Sequence, residues 1–139
     1  MSTRTFALIF GIAFLVIGAS GFFMLTPGHE TGDDLVVKHS YGLAMGLFPV
    51  NILHNLVHLL FGVWGLLAYR SLRGSIAYAR GVAIIYAVLA IMGLIPGLDT
   101  MFGLVPLYGN DIWLHALLAG VAAYFGWVHR NNNAATERH

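Results

Sequence analysis

The chain has 139 residues, of which 58% are hydrophobic and only 9% are charged. A soluble domain carries about 25% charged residues, so this composition excludes an ordinary soluble globular protein. Seven basic residues against six acids form no basic cluster, which argues against a nucleic-acid surface, and the lack of cysteine excludes disulfides, thiolate metal sites and thiol catalysis.

Four apolar runs account for the composition, and they cover residues 6–25, 51–69, 78–95 and 111–128. Each run is close to the ~20 residues that cross a hydrocarbon core of ~30 Å. We therefore predict an all-α fold, a four-helix transmembrane bundle that forms one integral-membrane domain over 1–139. The first run is longer than the 7–15 residues of a signal-peptide core, so we expect an uncleaved helix.

The first span carries Gly11 and Gly18 one heptad apart, which predicts close approach by a neighbouring helix. An acidic loop follows over 29–39. The apolar segment 41–48 is either a short interfacial helix or an early start of the second span, bent at Pro49.

The second span carries a polar stripe in its first half. At about 100° per residue, four side chains fall within an arc of roughly 100° and share one helix face. These side chains belong to Asn51, His54, Asn55 and His58, and Gly62 and Gly65 continue the face. Such a stripe faces other helices, because lipid offers imidazoles and amides no partners.

A short basic turn over 70–75 precedes the third span. One face of that span holds small residues suited to helix packing: Ala79, Ala83, Ala87 and Ala90. The mostly apolar loop 98–110 either rests on the membrane surface or plugs the mouth of the bundle. The fourth span then places Asp111 and His115 near its start.

The basic residues predict the orientation of the chain. Six arginines lie at the N-terminus, in the middle turn or near the C-terminus: Arg4, Arg70, Arg73, Arg80, Arg130 and Arg138. The first and third loops together hold only Lys38 against four acids: Glu30, Asp33, Asp34 and Asp99. The positive-inside rule then places both termini in the cytoplasm and these two loops outside.

The second and fourth spans resemble each other. When the sequence of residues 47–66 is aligned with that of residues 104–123 at a constant offset, His54 aligns with Asp111 and His58 aligns with His115. Two helix pairs of parallel topology, related by an axis along the membrane normal, would produce this pattern. The polar residues of both spans would then meet one to two turns inside the outer surface.

The convergence of the polar side chains of the two spans predicts a metal site formed by His54, His58, Asp111 and His115. Imidazole and carboxylate ligands are appropriate to zinc, iron, manganese or copper(II). Three amides are predicted to surround the ligands and fix the imidazole tautomers: Asn51, Asn55 and Asn110.

Three alternatives stay open at this point. The cluster can be interhelical polar packing within an accessory or assembly subunit of a larger membrane complex, or within a homo-oligomer. His58 and His115 can also be axial ligands of haem b, a weaker option because it leaves His54 and Asp111 unexplained. A transporter or proton path is disfavoured, because the third span lacks polar residues and the inner halves of all four spans offer few polar groups. The composition selects no substrate, so enzymatic activity also stays open, with a binding protein favoured.

The runs FPVN-x-x-HN-x-x-H, from Phe48, and GND-x-x-LH, from Gly109, resemble an uncharacterised family of small bacterial four-helix membrane proteins. The family is known only as a domain of unknown function. This resemblance implies a bacterial inner-membrane protein with four helices and implies no activity. The metal site is a prediction from spacing alone.

Overall fold

The structure, a computed structural model, describes residues 1–27 and 35–129. Within these ranges the chain forms four α-helices and a small sheet. The helices are α1 (Thr3–Ser20), α2 (Ile52–Ala68), α3 (Leu72–Leu94) and α4 (Asn110–Ala123), and α4 continues into a π-helical turn, Tyr124–Val128. Three strands lie between α1 and α2: β1 (Leu25–Thr26), β2 (Gly42–Ala44) and β3 (Phe48–Val50).

The helices have the dimensions expected of membrane spans. By length and composition α1, α3 and α4 with its π-turn are able to cross a membrane, and α2 is an apolar helix of 17 residues. The predicted all-α four-helix transmembrane bundle is therefore confirmed in part, since the described chain is mostly helical and three of its helices could span a membrane. Residues 29–34 of the acidic loop, with all three of its acids, and the tail beyond His129 lie outside the described residues.

Two helix ends differ from the prediction. Helix α1 ends at Ser20 rather than near residue 25, because the chain turns at Gly21 and then enters β1. Helix α3 begins at Leu72 rather than near residue 78. The Ser71 side chain accepts the backbone N–H of Gly74, which caps the helix and makes the basic turn its first turn.

A small sheet stands beside the predicted helices, and the helix expected over 41–48 is wrong because strands occupy most of that segment. Strands β2 and β3 form an antiparallel hairpin, and β1 pairs antiparallel with β2 on its other side. Met45 and Gly46 turn the chain with φ angles of 54° and 71°, a left-handed geometry incompatible with a continuing helix. Pro49, which has no N–H to donate, lies in the edge strand β3.

Glycines bring α1 and α2 into backbone contact. A Cβ added to Gly65 would lie 2.7 Å from the Cα of Gly11, and one added to Gly11 would lie 2.9 Å from the backbone nitrogen of Leu66. A Cβ on Gly18 would meet the carbonyl oxygen of Asn55 at 2.9 Å. The predicted role of these glycines in close helix approach is confirmed.

The core consists of aromatic and small residues. Phe6 of α1 stacks on Phe125 with ring centroids 4.7 Å apart, and Tyr78 and Tyr86 of α3 are buried beside them. The buried histidines lie beyond Tyr86, in the halves of α2 and α4 that begin near the sheet. This division separates an apolar half of the molecule from a polar half next to the sheet.

The loop between α3 and α4 packs over the helix ends nearest the sheet. Leu107 is 1% exposed, and its N–H donates to the carbonyl of Asp99 at 2.7 Å. The N–H of Val105 donates to the carbonyl of Thr100. Of the two interpretations of this loop, the structure supports the one in which it plugs the mouth of the helices.

Candidate metal centre

Three potential metal ligands converge between α2 and α4. His54 lies in the first turn of α2, whereas Asp111 and His115 lie one turn apart on α4. One ligand atom from each of the three lies within 4.8 Å of the others, and His54 Nδ1 is 3.7 Å from Asp111 Oδ2. These positions come from distant parts of the chain, so only the packing of the two helices brings them together.

The spacing is close to that of a loaded site. Ligand atoms held ~2.1 Å from one ion lie at most ~4.2 Å apart, so a small rotation of the side chains would close this group on a metal. All three side chains are shielded, since His54 is 4%, Asp111 2% and His115 1% exposed.

One polar atom of each of these three side chains has no hydrogen-bond partner among the described residues. His54 Nδ1, Asp111 Oδ2 and His115 Nδ1 are buried and form no hydrogen bond with any described residue. A buried polar atom without a partner costs about 1–3 kcal/mol, and more when it carries charge. Imidazole and carboxylate groups are ordinary metal ligands, so this buried group could hold a metal ion.

His58 lies beside this group and not within it. Its ring centroid is 4.6 Å from that of His54, and its other side stacks on Phe14 at 5.7 Å. Its Nδ1 is also buried without a partner among the residues that the structure describes. The structure thus gathers three of the four predicted ligands and leaves His58 adjacent to them.

The three asparagines bond elsewhere than predicted. Asn51 caps α2 by accepting the backbone N–H of His54, and its amide nitrogen donates to the carbonyls of Val37 and Leu104 at 2.8 and 2.7 Å. These bonds hold the first turn of α2, and therefore His54, against two loops. Asn51 thus positions His54 by bonding to its backbone N–H and not to its imidazole ring.

The other two amides have similar structural partners. Asn55 donates to the carbonyl of Gly21 at 2.9 Å, where a Cβ on that glycine would overlap the amide. Asn110 donates to the carbonyl of Leu47 and accepts from the indole N–H of Trp113. Their observed hydrogen bonds join segments of the fold and do not reach the histidine rings.

A family model for a domain of unknown function, DUF4383, matches residues 4–128, which is most of the chain. The chain belongs to the DUF4383 family. The resemblance to an uncharacterised family is therefore confirmed. No curated protein and no solved structure matches the chain.

In this DUF4383 protein, further groups that the sequence pattern did not indicate lie beside the cluster. The Tyr86 ring meets His115 edge-on with centroids 5.0 Å apart, and the backbone carbonyl of Pro49 interacts with the His54 ring. Tyr78 and Tyr86 are eight positions apart, within about 80° of each other around α3, and both are buried. That spacing was the available signal that the third span also carries polar groups toward the core.

A cavity of about 90 Å³ adjoins the cluster in this family member, and Asp111, His115 and His58 contribute to its wall. The rest of the wall is apolar. A cavity of this volume does not accommodate a porphyrin between His58 and His115, so the residues do not fit haem.

Proposed function

We propose that this protein is an integral membrane protein that binds one transition metal ion through His54, Asp111 and His115. The observation that carries the proposal is the convergence of three buried potential ligands from two helices, one atom of each lying within 4.8 Å of the others. Two imidazoles and one carboxylate suit zinc or iron(II) best, with manganese and copper(II) as further candidates.

The same proposal includes the architecture around the metal. The four helices form a transmembrane bundle with both termini in the cytoplasm of a bacterial inner membrane, and the metal lies near the outer face. Arg4 and Arg73 at one end of the helices support this orientation through the positive-inside rule. The sheet and the loop after α3 would then cover the outer end of the site.

Three protein ligands leave a coordination position for water or a small molecule, as in catalytic rather than structural zinc sites. The adjacent cavity supports this arrangement, because Asp111 and His115 line it. His58 would then lie beside the open position as a hydrogen-bonding group. The metal would supply a Lewis acid or a redox centre there.

Elemental analysis of the purified full-length protein tests the proposal. The protein is incubated with zinc, iron(II) or manganese and then dialysed against a weak chelator. We expect one tightly held metal per chain, lost in Asp111→Asn and kept in Asp99→Asn, a carboxylate in the outer loop. His115→Gln should lose the metal as well, and His39→Gln, at a histidine outside the group, is its matched control. No stoichiometric metal, or equal metal in Asp111→Asn, would overturn the proposal.

A second candidate function is that of an accessory subunit of a larger membrane complex. The polar cluster would then only hold the helices together, and a helix of a partner protein would pack on α4. Ala116 and Gly120 form an exposed small-xxx-small pair, and a Cβ on Gly120 would meet nothing within 4 Å. Purification in mild detergent separates the two candidates. A stable complex with metal-free protein would favour the subunit, whereas a metal-bound monomer would count against it.

A further inference from the structure

A second cavity lies at the end of the helices opposite the sheet, between the start of α1 and the end of α2. Its volume is about 280 Å³, and its wall consists of Ser2, Arg4, Thr5, Leu8 and Tyr69. Ser2, Arg4 and Thr5 are exposed, so the cavity opens to the surface. A cavity of about 150 Å³ accepts benzene, and this larger one has room for a phosphate group.

The last residues of α2 hold the Arg4 side chain in the wall of this cavity. Its Nε donates to the carbonyl of Tyr69 at 2.8 Å, and its Nη2 donates to the carbonyl of Arg70 at 3.4 Å. A guanidinium is always protonated and carries five N–H groups, so three donors are left over from these bonds to described residues. A fixed planar fork loses little entropy when it binds a phosphate. The positive-inside rule requires no such fixed geometry.

The charge at this end of the molecule is positive and uncompensated among the described residues. Arg70 and Arg73 are exposed in the turn that follows α2 and at the start of α3. The two carboxylates in the described part of the chain, Asp99 and Asp111, both lie at the end near the sheet. The first turn of α1 holds no acidic residue, and its dipole adds to the positive potential. An anion is therefore the complementary ligand for this cavity.

The wall also offers a neutral donor and an apolar strip. Ser2 Oγ and Thr5 Oγ1 lie 2.9 Å apart, and since only one of them donates to the other, one hydroxyl hydrogen is left for a further acceptor. Leu8 continues the wall along α1, and Ile12, one turn further, is 49% exposed. A ligand with a phosphate at one end and hydrocarbon below it matches this order of groups, whereas a free phosphate would leave the apolar strip uncovered.

We infer that this cavity binds the phosphodiester head group of an anionic phospholipid, such as phosphatidylglycerol, with its acyl chains along α1. Arg4 and the hydroxyls of Ser2 and Thr5 hold the phosphate. Arg70 adds positive charge beside it. Basic pockets between membrane helices on the cytoplasmic side bind acidic head groups through the same chemistry. The site lies at the opposite end from the candidate metal ligands, so the inference goes beyond the proposed function and does not depend on it.

Native mass spectrometry of the full-length protein, purified in a neutral detergent and titrated with lipid, tests this inference. The probes are dioleoylphosphatidylglycerol and dioleoylphosphatidylcholine, which share their acyl chains and differ in head-group charge. We expect one saturable phosphatidylglycerol per chain, bound at least about tenfold more tightly than phosphatidylcholine and not displaced by excess inorganic phosphate. Equal affinity for the two lipids would overturn the inference, and displacement by inorganic phosphate would overturn a lipid as the ligand.

Thr5→Glu separates lipid binding from the stability of α1. A glutamate three residues after the Ser2 cap completes a capping box and favours the helix, yet it adds a negative charge to the cavity wall. We expect phosphatidylglycerol to bind about tenfold more weakly, with an unchanged or higher unfolding temperature. Thr26→Glu makes the same substitution in the exposed part of β1 and should bind the lipid like the unmodified protein.

A charge-removing variant gives a second comparison. Arg70→Gln should also weaken binding, because it removes a positive charge beside the phosphate, and Lys38→Gln, at the end near the sheet, is its matched control. Unchanged affinity in Thr5→Glu would overturn the cavity as the binding site. Equal weakening in Thr5→Glu and Thr26→Glu would assign the binding to net charge and overturn the site as well.

Metal content measured on the same samples keeps this inference separate from the proposed function. It should be the same in all four variants, because none of them alters a candidate metal ligand. Selective phosphatidylglycerol binding by protein that holds no metal would overturn the proposed function and support the lipid site. Bound metal without lipid selectivity would have the opposite meaning.

Discussion

His54 Nδ1 lies 3.7 Å from Asp111 Oδ2, although the two residues are 57 positions apart in the chain. The same two residues align with each other when the sequence of residues 47–66 is aligned with that of residues 104–123. Equivalent positions of the two similar segments therefore face each other across the helices. The internal repeat itself stays a prediction, and the contact gives it a physical consequence that can be tested by mutation.

The contribution of His58 to metal binding distinguishes a three-ligand site from the four-ligand site that spacing alone predicts. We expect His115→Ala to abolish stoichiometric metal, because it removes one of three converging ligand atoms. His58→Ala should retain metal with affinity lowered about 10–100-fold, the usual effect of a group just outside the ligand set. Competition with a chromogenic chelator measures both affinities. Equal and complete loss in the two variants would restore His58 as a ligand.

Asn51 should stabilise the fold more than an ordinary helix cap does. Asn51→Ala removes the cap of α2, worth about 1 kcal/mol, and two bonds to loop carbonyls worth about 1 kcal/mol each. Ser71→Ala removes only the cap of α3, so it should cost about 1 kcal/mol. Denaturant unfolding in mixed micelles measures the difference. Indistinguishable midpoints would show that the Val37 and Leu104 bonds do not contribute.

The glycine contact between α1 and α2 predicts opposite effects of the same substitution at two sites. In Gly65→Ala the new methyl group would meet the Gly11 backbone, so we expect a loss of about 1–3 kcal/mol. In Gly120→Ala nothing lies within 4 Å, and the higher helix propensity of alanine should add up to about 1 kcal/mol. Thermal unfolding followed by circular dichroism gives the two shifts. A stabilised Gly65→Ala protein would refute the close approach.

Because the chain has no cysteine, introduced cysteines report its orientation without background. Val36 is 77% exposed in the segment between β1 and β2, and Arg73 is exposed at the start of α3. A membrane-impermeant maleimide should label Val36→Cys in intact cells and label Arg73→Cys only after the membrane is permeabilised. The reverse pattern would invert the proposed topology, and labelling of both in intact cells would contradict a membrane-spanning chain.

Composition by itself determined the class of protein and the approximate places of the helices. Apolar runs of about 20 residues carry that information locally, since a membrane span satisfies its own backbone hydrogen bonds and needs only apolar side chains. The polar stripe of the second span was also readable, because helical periodicity places His54 and His58 on one face. Gly11 could be assigned to a helix contact for the same local reason.

Tertiary structure decided what those side chains meet. The hairpin over 42–50 depends on two left-handed residues and on pairing with β1, which hydrophobic periodicity does not reveal. Asn51 shared the helix face of the histidines, yet its amide turned to the carbonyls of Val37 and Leu104, because loops folded back within its reach. Contacts between distant segments depend on how whole helices and loops pack, so the three-ligand group and the cavity beside it appear only in three dimensions.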